Sequence, residues 1–223
     1  MSLIIRHYGQ RDYLETFQEM VEFNSNQNTT TVEEIWFLQH PPVYTLGLAG
    51  KTEHLLDPGI IPVVRTDRGG QVTYHGPGQL LAYLLLDLQR RQISIKSLVE
   101  RIEQAIIDML AGLNLHGVRK ARAPGVYIDG RKIAALGIRV RNGFSYHGLA
   151  LNVNMDLSPY QGINPCGYPG LEVTRLSNYR IRLSVDEVAE ILQPCLLSQL
   201  GYSADETHVI TVPDTARKLW ATA

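Results

Sequence analysis

Two dipeptides, Asp129-Gly130 and Asn142-Gly143, constrain the fold more than any other feature of this chain. Each signals a two-residue hairpin turn, because both central positions of such a turn take positive φ, which Asn, Asp and Gly tolerate. They lie inside a strand-rich block from Gly125 to Met155. Hairpins in mid-chain, with no regular strand–helix alternation around them, predict an α+β architecture: a mixed, mostly antiparallel sheet flanked by helices. No repeat, low-complexity tract or linker interrupts the sequence, so residues 1–223 are expected to form a single domain.

Hydrophobic periodicity fills in the rest. Strands are predicted over 3–8, 34–39, 43–46, 63–66 and 80–88, and the proline pair after His40 stops the second of them. A helix is predicted over 10–26, with Tyr13, Phe17, Met20 and Val21 near one face, and 24–31 reads as a polar loop. Residues 47–59 look irregular. A longer helix over 94–113 takes Ser94 as its N-cap, and another over 184–200 opens on the capping box Ser184-Val185-Asp186-Glu187, with a kink expected at Pro194. Residues 158–170 form a proline- and glycine-rich loop, and the tail from Thr211 carries no clear signal. With 44% hydrophobic and 19% charged residues there is enough apolar material for a core. A formal charge of -1 gives no field to recruit nucleic acid or an anionic membrane. No apolar run is long enough to span a bilayer, the N-terminus does not read as a signal peptide, and two cysteines do not make a disulfide framework. A cytoplasmic protein is expected.

Two segments carry chemistry. The first, Arg68-Gly69-Gly70-Gln71-Val72-Thr73-Tyr74-His75-Gly76-Pro77-Gly78-Gln79, reads as a loop whose four glycines let backbone amides approach a ligand closely. It is neither a P-loop nor a Gly-x-Gly-x-x-Gly turn. The second, Asn164-Pro165-Cys166-Gly167, puts a thiol in a turn. Cys195, by contrast, shares a helix face with Val188, Ile191 and Leu192 and reads as core. A thiol near its reference pKa of about 8.5 is little ionised at neutral pH. A helix N-terminus contributes roughly 0.3–1 kcal/mol toward the thiolate. A cation about 4 Å away, at an effective dielectric near 20, contributes about 4 kcal/mol. The candidate cation is Lys132, at the head of an extended segment where strict alternation puts it on one face with Ala134, Leu136, Ile138 and Val140. Two roles fit that position. A poorly solvated lysine stabilises a thiolate while its own pKa falls; a strand-end lysine merely reaches water. Ala135 and Gly137 on the opposite face, with Gly148 and Ala150 on the next strand, leave either a slot for a thin ligand such as a straight acyl chain or a surface for close helix packing. His75 and His147 are candidate bases or hydrogen-bonding residues. No His/Cys/carboxylate cluster has metal-ligand spacing, so no metal or other cofactor is expected.

The first segment, with Ala123-Pro124-Gly125-Val126-Tyr127, Lys132-Ile133-Ala134-Ala135-Leu136-Gly137, His147-Gly148-Leu149-Ala150-Leu151-Asn152-Val153 and Ile163-Asn164-Pro165-Cys166-Gly167, closely resembles the bacterial octanoyltransferases of lipoate biosynthesis. The motifs run in family order from about Glu34 to Gly170. The resemblance implies the catalytic-domain fold shared by biotin and lipoate protein ligases. It also implies transfer of an octanoyl group from octanoyl-acyl-carrier protein to a specific lysine of lipoyl domains, in 2-oxoacid dehydrogenase complexes and the glycine cleavage H protein. By the same resemblance Cys166 is the nucleophile that forms an acyl thioester, and Lys132 is the residue that lowers its pKa. Arg68, Gly69, Gly70, Gln71, Val72, Thr73, Tyr74 and His75 bind substrate, as do Ala135, Leu136 and Gly137 and Gly148, Leu149 and Ala150. Both protein substrates of such enzymes are typically acidic, so Arg119, Lys120 and Arg122, and separately Arg139 and Arg141, either dock them or simply solvate the surface. The rival readings are an ATP-dependent lipoate or biotin ligase, a non-catalytic binding protein for lipoyl domains or acyl carriers, and a cysteine hydrolase using a histidine base.

Overall fold

A computed structural model describes residues 2–27 and 31–212. Residues 28–30 of the expected polar loop and the tail beyond 212 lie outside the described residues. The chain opens with strand β1 (Leu3–Gln10) and helix α1 (Tyr13–Ser25), whose N-cap Asp12 accepts from Glu15 N. Strands β2 (Glu33–Gln39), β3 (Val43–Leu46), β4 (Val63–Arg65), β5 (Val72–His75) and β6 (Gln79–Leu85) follow. Helix α2 (Ile95–Gly112) is capped by Ser94, which accepts from Ser97 N. After it come β7 (Val118–Arg119), β8 (Val126–Ile128), β9 (Arg131–Arg141) and β10 (Phe144–Asn152). Helix α3 (Val185–Leu200) starts on the Ser184/Glu187 capping box and continues through Pro194, and β11 (Thr207–Thr211) completes the described chain.

Eight strands form one mixed sheet in the order β11-β1-β2-β6-β10-β9-β8-β7. Strand β1 runs parallel to β2 and β11, and the remaining pairs are antiparallel. Both predicted hairpins form, with φ of 50° and 80° at Asp129 and Gly130 and 51° and 88° at Asn142 and Gly143. A second sheet, β4-β3-β5, differs from expectation, because β5 lies within the glycine-rich segment that reads as a loop. The glycines flank it; Val72, Thr73, Tyr74 and His75 are branched or aromatic and pair with β3.

Alternation along the strands divides the core. In β2, Ile35 and Phe37 join the cluster under α2 and α3, while Trp36 and Leu38 join the cluster that includes Met20 of α1. The two longer helices thus cover one face of the large sheet and α1 the other. A third cluster, including Tyr44, Leu46, Val72, Tyr74 and Tyr160, supports the small sheet. Among the described residues no helix is long and apolar enough to cross a membrane.

Helix α2 is the main buttress behind the strands that carry the candidate site, with Ile102 and Ile106 fully buried. Replacing Ile106 by alanine is expected to cost about 2–5 kcal/mol of stability, read as a lower urea midpoint with little change in slope.

Candidate active site

The position of Lys132 is set by a local irregularity. Across the Asp129-Gly130 turn, Tyr127 lies opposite Lys132, but the next residue back, Val126, lies opposite Ala134. Ile133 is the extra residue of a β-bulge, and it enters the core together with Ala134. The expectation from strict alternation, that Lys132 shares a face with Ala134 and Leu136, is overturned. The bulge reverses the parity, and Lys132 lines a cavity with Ala135 and Gly137.

The Lys132 side chain is buried, and its ammonium lies 3.1 Å from Cys166 Sγ and 3.0 Å from the Pro124 carbonyl. It also stands 5.3 Å from the centroid of the Tyr127 ring. Burial by itself pushes Lys132 toward losing its proton, but the charge and hydrogen bond of Cys166, with Tyr127 behind them, outweigh it. The net direction is upward, so the expected fall in the lysine's pKa does not hold beside a free thiolate. Cys166 is half-buried at φ 57° in a turn closed by hydrogen bonds from Gly167 N to Asn164 O and from Tyr168 N to Pro165 O. The left-handed conformation is unusual for a side-chain-bearing residue. His54 secures the turn's entry, accepting from Asn164 N at 2.9 Å and placing Nδ1 3.3 Å from Asn164 Nδ2.

Both residues line a cavity of about 350 Å³. Paired small residues form its floor: Ala135 opposite Ala150, and Gly137 opposite Gly148. Leu136 and Leu149 also line it. Residues 68–71 form one wall and lie directly on β9, where Gly69 N donates to Ile138 O. This approach needs glycine at 137: a Cβ there would come within 3.1 Å of Arg68 Cδ and of Gly69 O.

Arg68, Gly69, Gly70, Gln71, Val72, Thr73 and His75 all line the cavity. The Arg68 guanidinium is buried and commits its donors to Thr45 Oγ1, Thr45 O, Gly69 O and Gln71 O, so it shapes the wall. Tyr74 does not belong with these residues. It alternates to the other face of β5 and packs against Tyr44 and Tyr160, which corrects its expected place in the substrate segment. His75 directs Nδ1 to Gln79 Oε1 at 2.8 Å and Nε2 to Thr45 Oγ1 at 3.3 Å. Burial, with His40 and Arg68 nearby, pushes its pKa down to about 3. His147, at φ 58°, bonds Asp67 through Nε2; burial outweighs that carboxylate and lowers its pKa. Neither imidazole is hydrogen-bonded to Cys166.

Sequence reading missed His40, Tyr127, the Pro124 carbonyl and the His54–Asn164 contact. His40 is buried between Arg11 O and Tyr83 OH, and burial lowers its pKa to about 4. The motif containing Pro124 and Tyr127 was visible in sequence, but no periodicity reveals which carbonyl meets an ammonium. Arg119 and Lys120 are engaged within the fold, Arg119 with Glu103 and Lys120 with Gly130 O.

A lysine ammonium and a thiol meet beside a narrow slot on a mixed sheet, and comparisons with known proteins give the fold and the family. The model of the lipoyl protein ligase A/B catalytic domain matches residues 12–196. An octanoyltransferase of Stutzerimonas stutzeri is 54% identical over 91% of this chain and 93% of its own length. One from Azoarcus is 56% identical over 90% of this chain and 88% of its own. Among solved structures, a lipoate-protein ligase A bound with ATP shares the fold at a TM-score of 0.78, with 16% identity over 96% of this chain and 90% of that one. A biotin protein ligase from Aquifex aeolicus does so at 0.56 and 13%, over 90% and 71%. The protein is therefore an enzyme, an acyltransferase on the lipoyl protein ligase catalytic fold. Within that class the chain belongs to the octanoyltransferase family.

His40 and His75 are neutral in the fold, with pKa values near 4 and 3, whereas in the unfolded chain each takes a proton near pH 6.5. Between those values the unfolded state binds more protons. Their stabilising contribution is therefore complete above about pH 6.5 and declines as pH falls, by about 1.4 kcal/mol per unit for each histidine. Urea midpoints at pH 7 and pH 5 test this, with flat imidazole NMR shifts for both residues expected across that range. A residue titrating near pH 6.5 in the native protein would contradict the assignment.

Proposed function

We propose that the enzyme moves an octanoyl group from octanoyl-acyl-carrier protein to the target lysine of lipoyl domains, including those of 2-oxoacid dehydrogenase complexes and the glycine cleavage H protein. The reaction passes through a thioester on Cys166. The observation that carries this reading is the 3.1 Å contact between Lys132 Nζ and Cys166 Sγ, with both residues lining the same slot.

The Cys166 thiolate attacks the carbonyl of the carrier thioester. As the tetrahedral species collapses, the carrier sulfur leaves with the Lys132 proton, and the octanoyl group remains on Cys166. One thioester has replaced another, so the exchange is nearly balanced and needs no ATP. The tail lies over Ala135, Gly137, Gly148 and Ala150; a larger side chain at 135, 137 or 150 would occupy its space, whereas a Cβ at 148 would run into Ala82 O.

The second half-reaction follows from the balance of forces on Lys132. With the sulfur acylated, the negative charge that raised its pKa is gone, while the burial that lowers it remains. The neutral amine then takes the proton that the incoming lysine loses as its nitrogen attacks the thioester. Cys166 departs as the thiolate, an amide has formed, and the ammonium–thiolate pair is restored. A dedicated histidine base is unnecessary, in keeping with the commitments of His75 and His147 to Gln79, Thr45 and Asp67. An ATP-dependent ligase would require no such sulfur.

Incubation with octanoyl-carrier, without ATP or Mg²⁺, is expected to add one octanoyl mass to the intact protein, and adding a lipoyl domain should discharge it. Cys166→Ser should abolish turnover even if a slow oxygen ester forms. Lys132→Ala should slow transfer by about 10²–10⁴-fold, with partial recovery at higher pH. Transfer that requires ATP, or an undiminished rate in Cys166→Ser, would overturn the reading.

Removing space for the tail should also matter. Gly137→Val brings carbon against Arg68 and Gly69 O and fills the slot. Turnover is expected to fall at least about tenfold while the protein remains folded by circular dichroism.

A further inference from the structure

We infer that Glu103, on α2, is a positioning residue for the Lys132–Cys166 pair, acting through a single peptide group. This rests on the acyl-transfer reading only for its effect on turnover; the geometry stands independently. Helix α2 presents an apolar face to the sheet, with Leu98, Ile102, Ala105, Ile106 and Met109 buried. Glu103 is buried in the same helix, an expensive place for a carboxylate without partners. Its Oε1 accepts from Gly125 N at 2.8 Å, and its Oε2 accepts from Arg119 Nε at 3.1 Å. Arg119 is itself tied to Glu100 O and Gln104 Oε1.

The amide of Gly125 belongs to the same peptide plane as the carbonyl of Pro124. In a trans peptide, N–H and C=O point in opposite directions. One end of this plane donates to Glu103, and the other accepts from Lys132 Nζ at 3.0 Å. The order is therefore carboxylate, peptide, ammonium, thiol. A carboxylate on the N–H end polarises the amide and makes its carbonyl a better acceptor, so consecutive bonds reinforce one another. Sterics hold the same plane in place. Gly125 adopts φ +131°, and a Cβ there would approach Ala134 O to 2.5 Å and Lys132 Cε to 3.2 Å. The segment thus lies directly on the lysine it positions. Without the Glu103 anchor the Pro124 carbonyl is free to turn, and the ammonium loses the backbone hydrogen bond that holds it beside the sulfur.

The experiment is a double-mutant cycle read on the free enzyme. The rate of Cys166 alkylation by iodoacetamide is measured at pH 7 by peptide mass spectrometry, which separates it from Cys195. Glu103→Ala is expected to slow alkylation, and kcat for octanoyl transfer, by about tenfold in the wild-type background with little change in KM. In a Lys132→Ala background the same change should have no further effect on alkylation. Glu103→Gln keeps an acceptor for Gly125 N and should restore most of the rate. Glu103→Asp keeps the charge but shortens the reach, and should resemble alanine. If Glu103→Ala does not fold, the Gln and Asp variants carry the same cycle. Equal slowing with and without Lys132, no slowing, or Gln behaving like Ala while Asp behaves like wild type would each overturn the proposal. Alkylation is independent of octanoyl transfer, so failure of the acyl-transfer reading would leave this cycle interpretable, and failure of the cycle would leave the acyl-transfer reading standing.

Discussion

An ammonium and a sulfur 3.1 Å apart in a mostly buried setting attract each other strongly once both are charged, by about 5 kcal/mol at an effective dielectric near 20. A lysine with little access to water tends to shed its proton, and the charge and hydrogen bond of Cys166 oppose that loss. The contact with Cys166 therefore couples the charge on Lys132 to the state of the sulfur. In the proposed mechanism, that coupling is what lets a single lysine serve both half-reactions. Its proton would be held while the sulfur is anionic and become available as the sulfur takes up acyl. A histidine would not respond in the same way, because burial already holds those near the cavity neutral.

The contact depends on two departures from regular structure. The bulge at Ile133 turns Lys132 off the α2 face, where it would have been driven into the core, and onto the cavity face. The left-handed backbone at Cys166 brings the sulfur to meet it. Both irregularities are confined by ordinary packing around them: Ile133 and Ala134 enter the core beneath α2, and the Cys166 turn is closed by its own hydrogen bonds and by His54. Strain at the site is thus borne by a regular surround.

Much of this was legible in the sequence. The hairpin turns, the two longer helices with their caps, and the mixed α+β class follow from local chemistry, because positive φ, capping side chains and hydrophobic period act over a few residues. The small residues at 135, 137, 148 and 150 were legible as either a slot or a close-packing surface, since antiparallel pairing brings them together whatever lies above; all four line the cavity, and Gly148 is also packed against Ala82 O. Three features were not legible. Strict alternation misplaced Lys132, since nothing in Arg131-Lys132-Ile133-Ala134 announces that one residue will be skipped. The strand Val72–His75 was hidden by its flanking glycines, and with it the outward turn of Tyr74. The roles of Pro124, Tyr127 and His40 depend on contacts distant in sequence, which a single chain read locally does not encode.

The polar groups around the slot pose a problem that the geometry resolves. In the proposed reaction an apolar chain lies in a cavity bordered by Arg68, His75 and His147, where an exposed charge would be costly. The histidines are neutral and hydrogen-bonded, serving as rigid donors and acceptors instead of ions. Arg68 donates to the carbonyls of Thr45, Gly69 and Gln71 and to the Thr45 hydroxyl, so its charge is absorbed by the wall it shapes. Behind His75, Gln79 bonds Asn152, Asn152 bonds Thr174 O, and Thr174 N bonds the backbone of Lys132. The histidine side of the slot is therefore connected through buried amides to the strand that carries the lysine. Shape at one side and charge at the other are linked by the same network, which leaves Lys132 and Cys166 in contact in an otherwise satisfied, largely apolar pocket.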